Sequence, residues 1–470
     1  MSLINQGSAE CIASEVELFS LPPTDTSYAD SPRYHLEQPV TSIGSGSTID
    51  FLIKSSPESY IDLKNSYIDI TLSINDSSGS PIQAPTTATT DAAKAAKVVF
   101  PEQYLVGALF KNVEFYINST LVSSADNLYP YRAIIETILT TNKDVKNEAL
   151  RMSLWFPEPG NSDALEFRDG TKLATLDAET EGITNLSALS RFMATKHSTK
   201  FQLIGRIHCD LFNQIKYLPG KNELRLKFFK HNPEFSLRRS TQSTSSYTIK
   251  IDRMNLMVKK CEVSPHLREA HEKRLISLNN ESMKFAYENI QMKEFIHSGR
   301  SRHIQEPNLV NGMLPSKLII GLVDTDAVNG SFEKNPFNFQ NCDVTNVVLR
   351  KNGIAVPYDQ IYLDFTNDNY LSGYYSLLKT MGCNLWGTES LGITAEQYKY
   401  GNCFFGFDLT NDSNNGCLPL IESGKLSLDI KLGGSAPTGS ITVIAYMLFD
   451  SVLHIAADGQ VSLSNKEGLP

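Results

Sequence analysis

A segment in the first half of this chain recurs in the second half at a constant offset. Residues 110–122 and 344–356 lie 234 positions apart, which is half of the 470 residues. The positions that match are Asn112, Val113, Asn118 and Val122 in the first copy and Asn346, Val347, Asn352 and Val356 in the second. Solenoid repeats have periods of some tens of residues, so this spacing indicates two similar domains in tandem.

Each copy has the pattern of a β-hairpin followed by a helix. A β-branched and aromatic run leads to Asn118-Ser119 or to Asn352-Gly353, and such pairs favour the tight turns that connect antiparallel strands. We predict a helical segment after each hairpin, at 131–139 and at 370–381. The two halves therefore share a hairpin and a helix in the same order.

Length and charge limit the class of protein. A chain of 470 residues exceeds the roughly 250–300 residues at which one core stops growing, so two domains are expected. Its 41% of hydrophobic and 20% of charged residues are ordinary for a globular protein. The net charge of −9 argues against a general nucleic-acid-binding surface, so any contact with nucleic acid would be local.

The cysteines and the first residues favour a protein made in the cytosol. The seven cysteines are widely spaced and form no CxxC motif, so we predict neither a disulfide framework nor a zinc site. The start lacks the charged and apolar blocks of a signal peptide. No apolar run approaches the ~18 residues of a membrane span, so we expect no spanning segment.

Strand patterns predict the fold class. Each half contains about eight short strands with long loops between some of them, which is typical of a β-sandwich. The eight-stranded jelly roll tolerates long loops, whereas immunoglobulin-type sandwiches span only ~100 residues. We therefore predict an all-β protein of two tandem eight-stranded jelly-roll sandwiches, a double jelly roll, with short helices in its loops. A Greek-key sandwich of immunoglobulin type is the alternative.

The domain boundaries follow from the strand pattern and from the charged helical segment after Pro265. We predict an extended N-terminal arm at 1–40, a first jelly roll at 41–263, a linker helix at 264–282, a second jelly roll at 283–457 and a C-terminal tail at 458–470. Long loops at 143–198 and at 382–400 are the candidates for projecting towers.

The N-terminal arm combines prolines with apolar side chains that something must cover. Proline removes backbone donors and keeps the preceding residue out of helices, so the arm is an unlikely core element. The residues concerned are Val16, Leu18, Phe19, Leu21, Pro22 and Pro23. They could pack against their own domain, or they could tie the chain to a neighbouring subunit, because termini are often free unless docked.

The same arm carries a family resemblance. Residues 14–27, with Glu-Val-Glu-Leu-Phe-Ser-Leu-Pro-Pro-Thr-Asp-Thr inside them and Cys11 before them, resemble the N-terminal signature of major capsid proteins of Polinton/Maverick elements and adintoviruses. The blocks at 49–52, 60–67 and 111–114 are also similar. The family pattern prefers Leu at Val16 and Gln at Asp25. The resemblance covers about the first third of the chain.

The resemblance implies a structural role and no enzyme activity. Such hexon-like, double jelly-roll proteins form homotrimers of pseudo-hexagonal outline, which tile an icosahedral shell around double-stranded DNA. The implied partners are neighbouring capsomers, penton and minor capsid proteins, and the implied location is the virion, after synthesis in the host cytoplasm and assembly in the cytoplasm or nucleus. A chain with two like domains fits this geometry, because threefold rotation then gives six near-equivalent edges. The arm and tail would run beneath the shell.

Several patterns resemble catalytic or ligand-binding motifs, but the residues around them do not fit those motifs. Residues 44–48 lack the Gly-Lys-Ser/Thr ending of a phosphate loop and open a strand. Residues 324–335 begin like a calcium loop, yet Asn335 stands where the bidentate Glu belongs. His266 and His271 are five apart and so lie on different helix faces, while His208 and Cys209 are adjacent on a strand and point apart. We predict no catalytic, metal or cofactor residues.

Three basic clusters are candidates for contact with packaged DNA. They comprise Arg238, Arg239, Lys259, Lys260, Arg300 and Arg302. The competing interpretation is a solvated strand edge, where Lys and Arg deter sheet-to-sheet aggregation.

The alternative function is a β-sandwich module that binds carbohydrate or a receptor. Lectin sites often stack a sugar on exposed aromatic rings, and Tyr370, Tyr374, Tyr375 and Trp386 are the candidates. The helical spacing of Tyr370 and Tyr374 favours packing in the core instead.

Overall fold

A computed structural model gives the arrangement of the chain. It describes residues 11–13, 15–19, 21–44, 46–82, 98–156, 186–195, 200–239, 243–277, 282–299, 301–383, 390–410, 418–434 and 439–464. The statements below concern these residues.

Strands dominate the described chain. They are β1 (Tyr28–Glu37), β2 (Thr48–Ile53), β3 (Ser59–Asp76), β4 (Val99–Pro101), β5 (Phe110–Ile117), β6 (Thr120–Ser123), β7 (Phe201–Arg206), β8 (Leu218–Pro219), β9 (Leu224–Lys230), β10 (Leu237–Arg239), β11 (Tyr247–Val263), β12 (Met283–His297), β13 (His303–Met313), β14 (Lys317–Asp324), β15 (Val344–Lys351), β16 (Ile354–Tyr362), β17 (Phe404–Asp408), β18 (Ser423–Leu432), β19 (Ile441–Ile455) and β20 (Val461–Leu463).

The helices are short and lie between strands. They are α1 (Leu105–Ala108), α2 (Tyr129–Thr140), α3 (Lys143–Asn147), α4 (Leu186–Thr195), α5 (Pro233–Ser236), α6 (Pro265–Ile276), α7 (Thr325–Asn329), α8 (Leu371–Thr380) and α9 (Ala395–Lys399). The predicted helices after the two hairpins correspond to α2 and α8, and the predicted linker helix corresponds to α6.

The two halves have the same sheet topology. In the first half one sheet has the order β1-β11-β3-β7 and the other has β2-β9-β5-β6. In the second half the orders are β12-β19-β14-β17 and β13-β18-β15-β16. Numbering only these eight strands of each half in chain order, both halves read 1-8-3-6 and 2-7-4-5, and neighbouring strands are antiparallel. This arrangement of two facing four-stranded sheets is the jelly roll, so the predicted fold is confirmed.

Alternating side chains bury one face of the strands. In β2, Ile49, Phe51 and Ile53 are buried while the residues between them are partly exposed. Successive side chains on a strand point to opposite faces, so this alternation places the three on the inner face of the sandwich. The apolar core continues from the first sandwich into the second, and buried residues of both halves form one connected cluster.

The predicted arm contributes a strand to the first sheet. Residues 28–37 were expected to belong to an extended arm, but they form β1, which pairs with β11 from Tyr28↔Val263 to Glu37↔Leu256. The pairing register shifts between Asp30 and Arg33, where Pro32 lies. Proline is tolerated there because β1 is an edge strand with a free side. The first sandwich therefore begins before residue 41, and the extended part of the arm ends before Tyr28.

Two loop segments also contain structure that the sequence pattern did not indicate. The stretch 143–198 begins with α3 and includes α4, whose Phe192 packs with Val98 and Phe100. The tail 458–470 includes β20, which pairs with β19. Residues 157–185, 196–198, 384–389 and 465–470 of these predicted loops and tail lie outside the described residues.

Candidate functional site

The two halves meet across a buried contact that belongs to one chain. Tyr131 on α2 lies edge-on against Phe337 and Phe339 of the second half, with ring centroids 6.0 and 6.3 Å apart. Lys146 donates from Nζ to the Leu391 carbonyl oxygen at 2.6 Å. Aromatic pairs of this kind add to the apolar burial, so the first half holds the second by packing as well as by hydrogen bonds.

A buried charge cluster stands behind this contact. The Arg132 guanidinium lies 2.6 Å from Asp210 Oδ1 and 3.8 Å from Glu136 Oε2, and the three side chains are at most 2% exposed. Asp210 Oδ1 also accepts from the backbone N–H of Ile290 in β12, at 3.2 Å. A buried carboxylate needs such partners, because an unpaired charge in the interior is costly. The cluster therefore ties a first-half loop to a second-half strand.

His208 completes the cluster from the strand side. Its Nδ1 lies 3.3 Å from Glu136 Oε2, and its Nε2 lies 2.7 Å from the Tyr104 hydroxyl. Burial lowers the pKa of His208 below its usual 6.5, although Glu136 opposes that shift. Burial would raise the pKa of Glu136, but His208 and Arg132 outweigh it and hold that pKa below its usual value. The cluster thus holds an ionised carboxyl group beside a neutral imidazole.

The equivalent helices of the two halves differ in what covers them. All residues of α2 except Thr140 are buried. On α8, Leu371 is 58% exposed and Tyr375 is 44% exposed, and nearby Tyr362 is 66% exposed. Helix α8 does pack on its own sandwich, because Gly406 of β17 lets it approach so closely that a Cβ would meet Thr380 Oγ1 at 2.9 Å. One apolar face of α8 nevertheless has no cover within the described chain.

The equivalent sheets of the two halves differ in the opposite way, because here the first half is the more exposed. In β19, residues 441–449 are all buried, and consecutive side chains point to both faces, so both faces are covered. In β11, Thr248, Lys250 and Arg253 are exposed. In β1, only the last residue of the strand is partly buried, and Tyr34 and Leu36 are 49% and 52% exposed. Within the described chain, the outer face of the first-half sheet is therefore more exposed at β1 and at the start of β11 than the second-half sheet is at β14, β17 and β19, although the edge strand β12 is also exposed.

Hairpin tips show the same inequality. In the first half, Asn118 donates from Nδ2 to the Gly459 carbonyl oxygen of the second half at 2.9 Å. Its equivalent, Asn352, accepts from the Lys425 backbone within its own half at 2.8 Å. Within the described chain, the first-half tip thus reaches the other half.

The arm residues are open to solvent. Val16, Leu18, Phe19 and Leu21 are 65%, 77%, 98% and 91% exposed, and Pro22 and Pro23 are exposed as well. The interpretation in which these side chains pack on their own domain is not what the structure shows.

Most of the predicted DNA-facing residues pair with acidic side chains of the same chain. Arg238 is 1% exposed, pairs with buried Glu102 and lies over the Phe100 ring, 5.3 Å from its centroid. Lys260 is 8% exposed and donates to Glu37 Oε1 at 2.8 Å. The prediction that these two residues face DNA is wrong, because a buried and paired cation is out of reach of a phosphate group.

The other members differ among themselves. Arg239 lies 3.1 Å from Glu333 Oε1, and Lys259 lies 3.2 Å from Asp62 Oδ2. Arg302 is exposed, while Arg300 lies outside the described residues. Contact with DNA stays a prediction for these four.

The patterns that suggested chemistry have structural explanations. Lys334 donates from Nζ to Asp324 and Asp326, at 2.8 Å each, and so occupies the place that a calcium ion would need. Burial raises the pKa of the Cys209 thiol to about 12, which keeps it protonated and unreactive near neutral pH. His271 contacts Tyr60, at 2.9 Å. No group of three potential metal ligands occurs in the described part of the chain.

Two of the four aromatic residues proposed for sugar binding are packed within the fold. Tyr370 stacks on Phe365, with centroids 5.7 Å apart, and Tyr374 donates to the Ile393 carbonyl oxygen at 2.6 Å. Tyr375 is 44% exposed, and Trp386 lies outside the described residues. Among the helices that the structure describes, none has the length and apolar character needed to cross a bilayer.

Comparison with known proteins supports the fold. No protein-family model matches the chain. It is 24% identical over 409 residues to the uncharacterised protein F54H12.2 of Caenorhabditis elegans, covering 86% of this chain and 90% of that protein. A chain in the cryo-EM structure of the Sputnik virophage is 13% identical with a TM-score of 0.61, and the match covers 100% of this chain and 95% of that one.

Two further solved structures are similar over nearly their full length. PBCV-1 Vp54 is 11% identical with a TM-score of 0.56, covering 96% of this chain and 100% of that one. The Faustovirus major capsid protein is 10% identical with a TM-score of 0.53, covering 96% of each. The matches support the double jelly roll along the whole chain.

Proposed function

We propose that this chain is a major capsid protein whose homotrimers, hexagonal in outline, tile an icosahedral shell around double-stranded DNA. The observation that carries the proposal is the inequality between its two halves. Among the described residues, the helix of the first half and strands β14, β17 and β19 of the second half are covered, whereas α8 of the second half and the outer face of β1 and of the start of β11 keep exposed, or bare, surfaces.

A head-to-tail contact between copies explains this inequality. If α8 of one copy docks on the β1 and β11 side of the next, each bare surface acquires the cover that its equivalent already has within the chain. Such heterologous contacts close into rings when the rotation permits, and three chains supply six sandwiches. The ring then has six similar edges and can pack in a sheet.

The bare sheet is more polar than the covered one. Arg253 lies 3.4 Å from Asp69, and Lys200 lies 3.4 Å from Asp252, all around the outer face of the first sheet. Folded monomers must stay soluble before they associate, and a polar contact surface allows this. We therefore expect the trimer contact to be more sensitive to salt than the contact within the chain.

The biological context follows from the capsid role. The resemblance in the arm favours a Polinton/Maverick or adintovirus lineage. The protein then has no enzymatic role, is made in host cytoplasm and ends in the virion, next to other capsomers, penton and minor capsid proteins. Of the candidate basic residues that the structure describes, Arg302 is exposed to solvent, as contact with packaged DNA requires. The sugar-binding alternative is weaker, because Tyr370 and Tyr374 are engaged within the fold.

The test is the mass of the particle in solution. Full-length protein should have three times the chain mass by light scattering and a hexagonal outline in electron micrographs. Leu371→Asp and Tyr375→Asp place a charge on the bare face of α8 and should yield folded monomers. Ile276→Asp introduces the same charge at a site 78% exposed on α6 and should leave the trimer intact. Wild-type protein that stays monomeric at high concentration, or trimers in both α8 variants, would contradict the proposal.

A further inference from the structure

A cleft of about 560 Å³ opens beside α6, where the two halves and the root of the N-terminal arm meet. Tyr28, the first residue of β1, lines it, and its hydroxyl lies 3.2 Å from that of Tyr217. The Tyr60 hydroxyl lies 2.9 Å from Nδ1 of His271 on α6. These contacts join segments far apart in the sequence, so the walls of the cleft are held in place.

The lining of the cleft is apolar inside and basic at its charged positions. Leu275 and Phe285 are 6% and 4% exposed, whereas Ile215 at the rim is 75% exposed. The basic side chains that line the cleft are those of Lys216, His271, Arg274 and Lys284. No Asp or Glu lines the cleft among the described residues, although burial and, after it, nearby Glu272 of α6 raise the pKa of Tyr60. A matching ligand is apolar and acidic.

The N-terminal arm has that composition. Residues 1–32 contain five acidic residues and neither Lys nor Arg. Within them, Glu15 and Glu17 alternate with Val16 and Leu18, before Phe19, and these three apolar side chains are 65–98% exposed. A row of large exposed apolar residues marks a surface that binds another part of a protein.

We infer that the cleft binds residues 15–21 of the arm of a second copy of this chain. The arm of the same copy is poorly placed, because it leaves the cleft wall at Tyr28 and Pro22-Pro23 then hold it extended. Leu18 and Phe19 would occupy the apolar interior, and Glu15 and Glu17 would face Lys216 and Lys284. The inference rests on the proposed function in one respect only, which is that copies in a capsid lie close together.

Site-specific cross-linking in the full-length protein tests this contact. A photoreactive phenylalanine analogue replaces Phe19 in isotopically heavy chains, which are mixed with light chains before irradiation. Mass spectrometry should find heavy-to-light links to the peptides around Ile215 and Leu267, both of which line the cleft. Links confined to one isotope, links to another surface, or no links would overturn the inference.

A charge swap tests whether the cross-link depends on binding in the cleft or only on the closeness of the two chains. Lys216→Glu combined with Lys284→Glu should lower the cross-link yield about tenfold, the size expected for two partly exposed ion pairs. Adding Glu15→Lys and Glu17→Lys should restore the yield. Lys64→Glu, at an exposed position outside the cleft, should leave it unchanged. A yield unaffected by the double cleft variant would contradict the proposed contact.

The trimer mass is read in the same samples. Trimers that persist while the cross-link is lost show that the arm contact is separate from the contact through α8. Cross-links to the cleft in a protein that never forms trimers would sustain this inference and overturn the proposed function.

Discussion

Asn118 and Asn352 occupy the same place in the two hairpins and make the same contact. Each has a positive φ, 47° and 52°, as the first residue of a tight turn. Each accepts a backbone hydrogen bond with its side-chain oxygen, from Glu223 or from Lys425, at 2.8 Å. Asparagine tolerates this backbone region better than most residues, so its recurrence reflects both the turn and the tie to a third strand.

Replacing either asparagine by alanine should lower the free energy of unfolding. Alanine strains the backbone at positive φ and removes the side-chain acceptor, so we expect a loss of about 1–2 kcal/mol in each variant. Urea unfolding measures it. Asn352→Gly keeps the backbone freedom and should lose less than Asn352→Ala. Equal losses in these two variants would show that the turn conformation contributes nothing.

The burial of His208 should make stability depend on pH. Because burial lowers the pKa of His208 below 6.5, the unfolded chain takes up a proton that the folded protein resists. The unfolding free energy should therefore fall as pH drops below 6.5, by up to about 1.4 kcal/mol per pH unit. Protonation of Glu136, whose pKa is lowered, adds a further loss below about 4.5.

Unfolding midpoints between pH 5 and 8 check this dependence. His208→Gln should flatten the slope below pH 6.5, even if it lowers stability at every pH. His266→Gln, at an exposed position on α6, serves as the control and should keep the wild-type slope. A slope that persists unchanged in His208→Gln would assign the effect to other groups.

At the scale of elements, β1 protects an edge of the first sheet. It covers β11, and its last residue Glu37 neutralises Lys260, which is 8% exposed. An unpaired strand edge is a template for aggregation, and a buried ammonium group without its carboxylate is destabilising. The arm is therefore anchored through a strand that the fold needs.

Two truncations distinguish the strand from the arm before it. In the Leu371→Asp variant, which is expected to be monomeric, removing residues 1–26 should leave the unfolding midpoint unchanged within error, because the described residues of that stretch are exposed in the single chain. Removing residues 1–37 should lower the midpoint by several degrees and promote aggregation, since β11 loses its neighbour. Thermal unfolding and light scattering follow both effects. A midpoint that is the same in the two truncated proteins would mean that β1 is dispensable.

At the scale of the whole molecule, the two sandwiches behave as one folding unit. Their buried residues form a single connected cluster, and the Asp210 carboxylate bonds to the Ile290 amide across the boundary. A separated first half would expose Tyr131 and leave a charged cluster next to water and apolar surface. Large apolar contacts of this kind make domains interdependent.

Splitting the chain in the linker region tests that interdependence. Residues 1–277 expressed alone should be largely insoluble, because α2 and its aromatic contacts lose their cover. Expressing residues 282–470 in the same cells should restore soluble protein that elutes as a complex of both pieces. A soluble, cooperatively unfolding first half on its own would show that the halves are independent.

The sequence predicted the tandem fold well because both halves repeat local signals. The hairpin turns, the helices after them and strands such as β2 follow from residues close to one another in the chain. The burial of Arg238 was harder to predict, since Arg238 pairs with Glu102, far away in the sequence. β1 was missed because prolines argued against a strand, and only the edge position of β1 explains how Pro32 is accommodated. The unequal cover of α2 and α8 depends on packing between halves, which no local pattern encodes.

The covalent joining of two sandwiches simplifies the construction of the proposed ring. Six separate sandwiches would have to associate in five successive encounters, in the right order and without stopping at five sandwiches or adding a seventh. Here every second junction of the ring already lies within one polypeptide, which fixes the local concentration of the two sandwiches it joins. Two encounters between chains then suffice, and a particle with an odd number of sandwiches cannot arise.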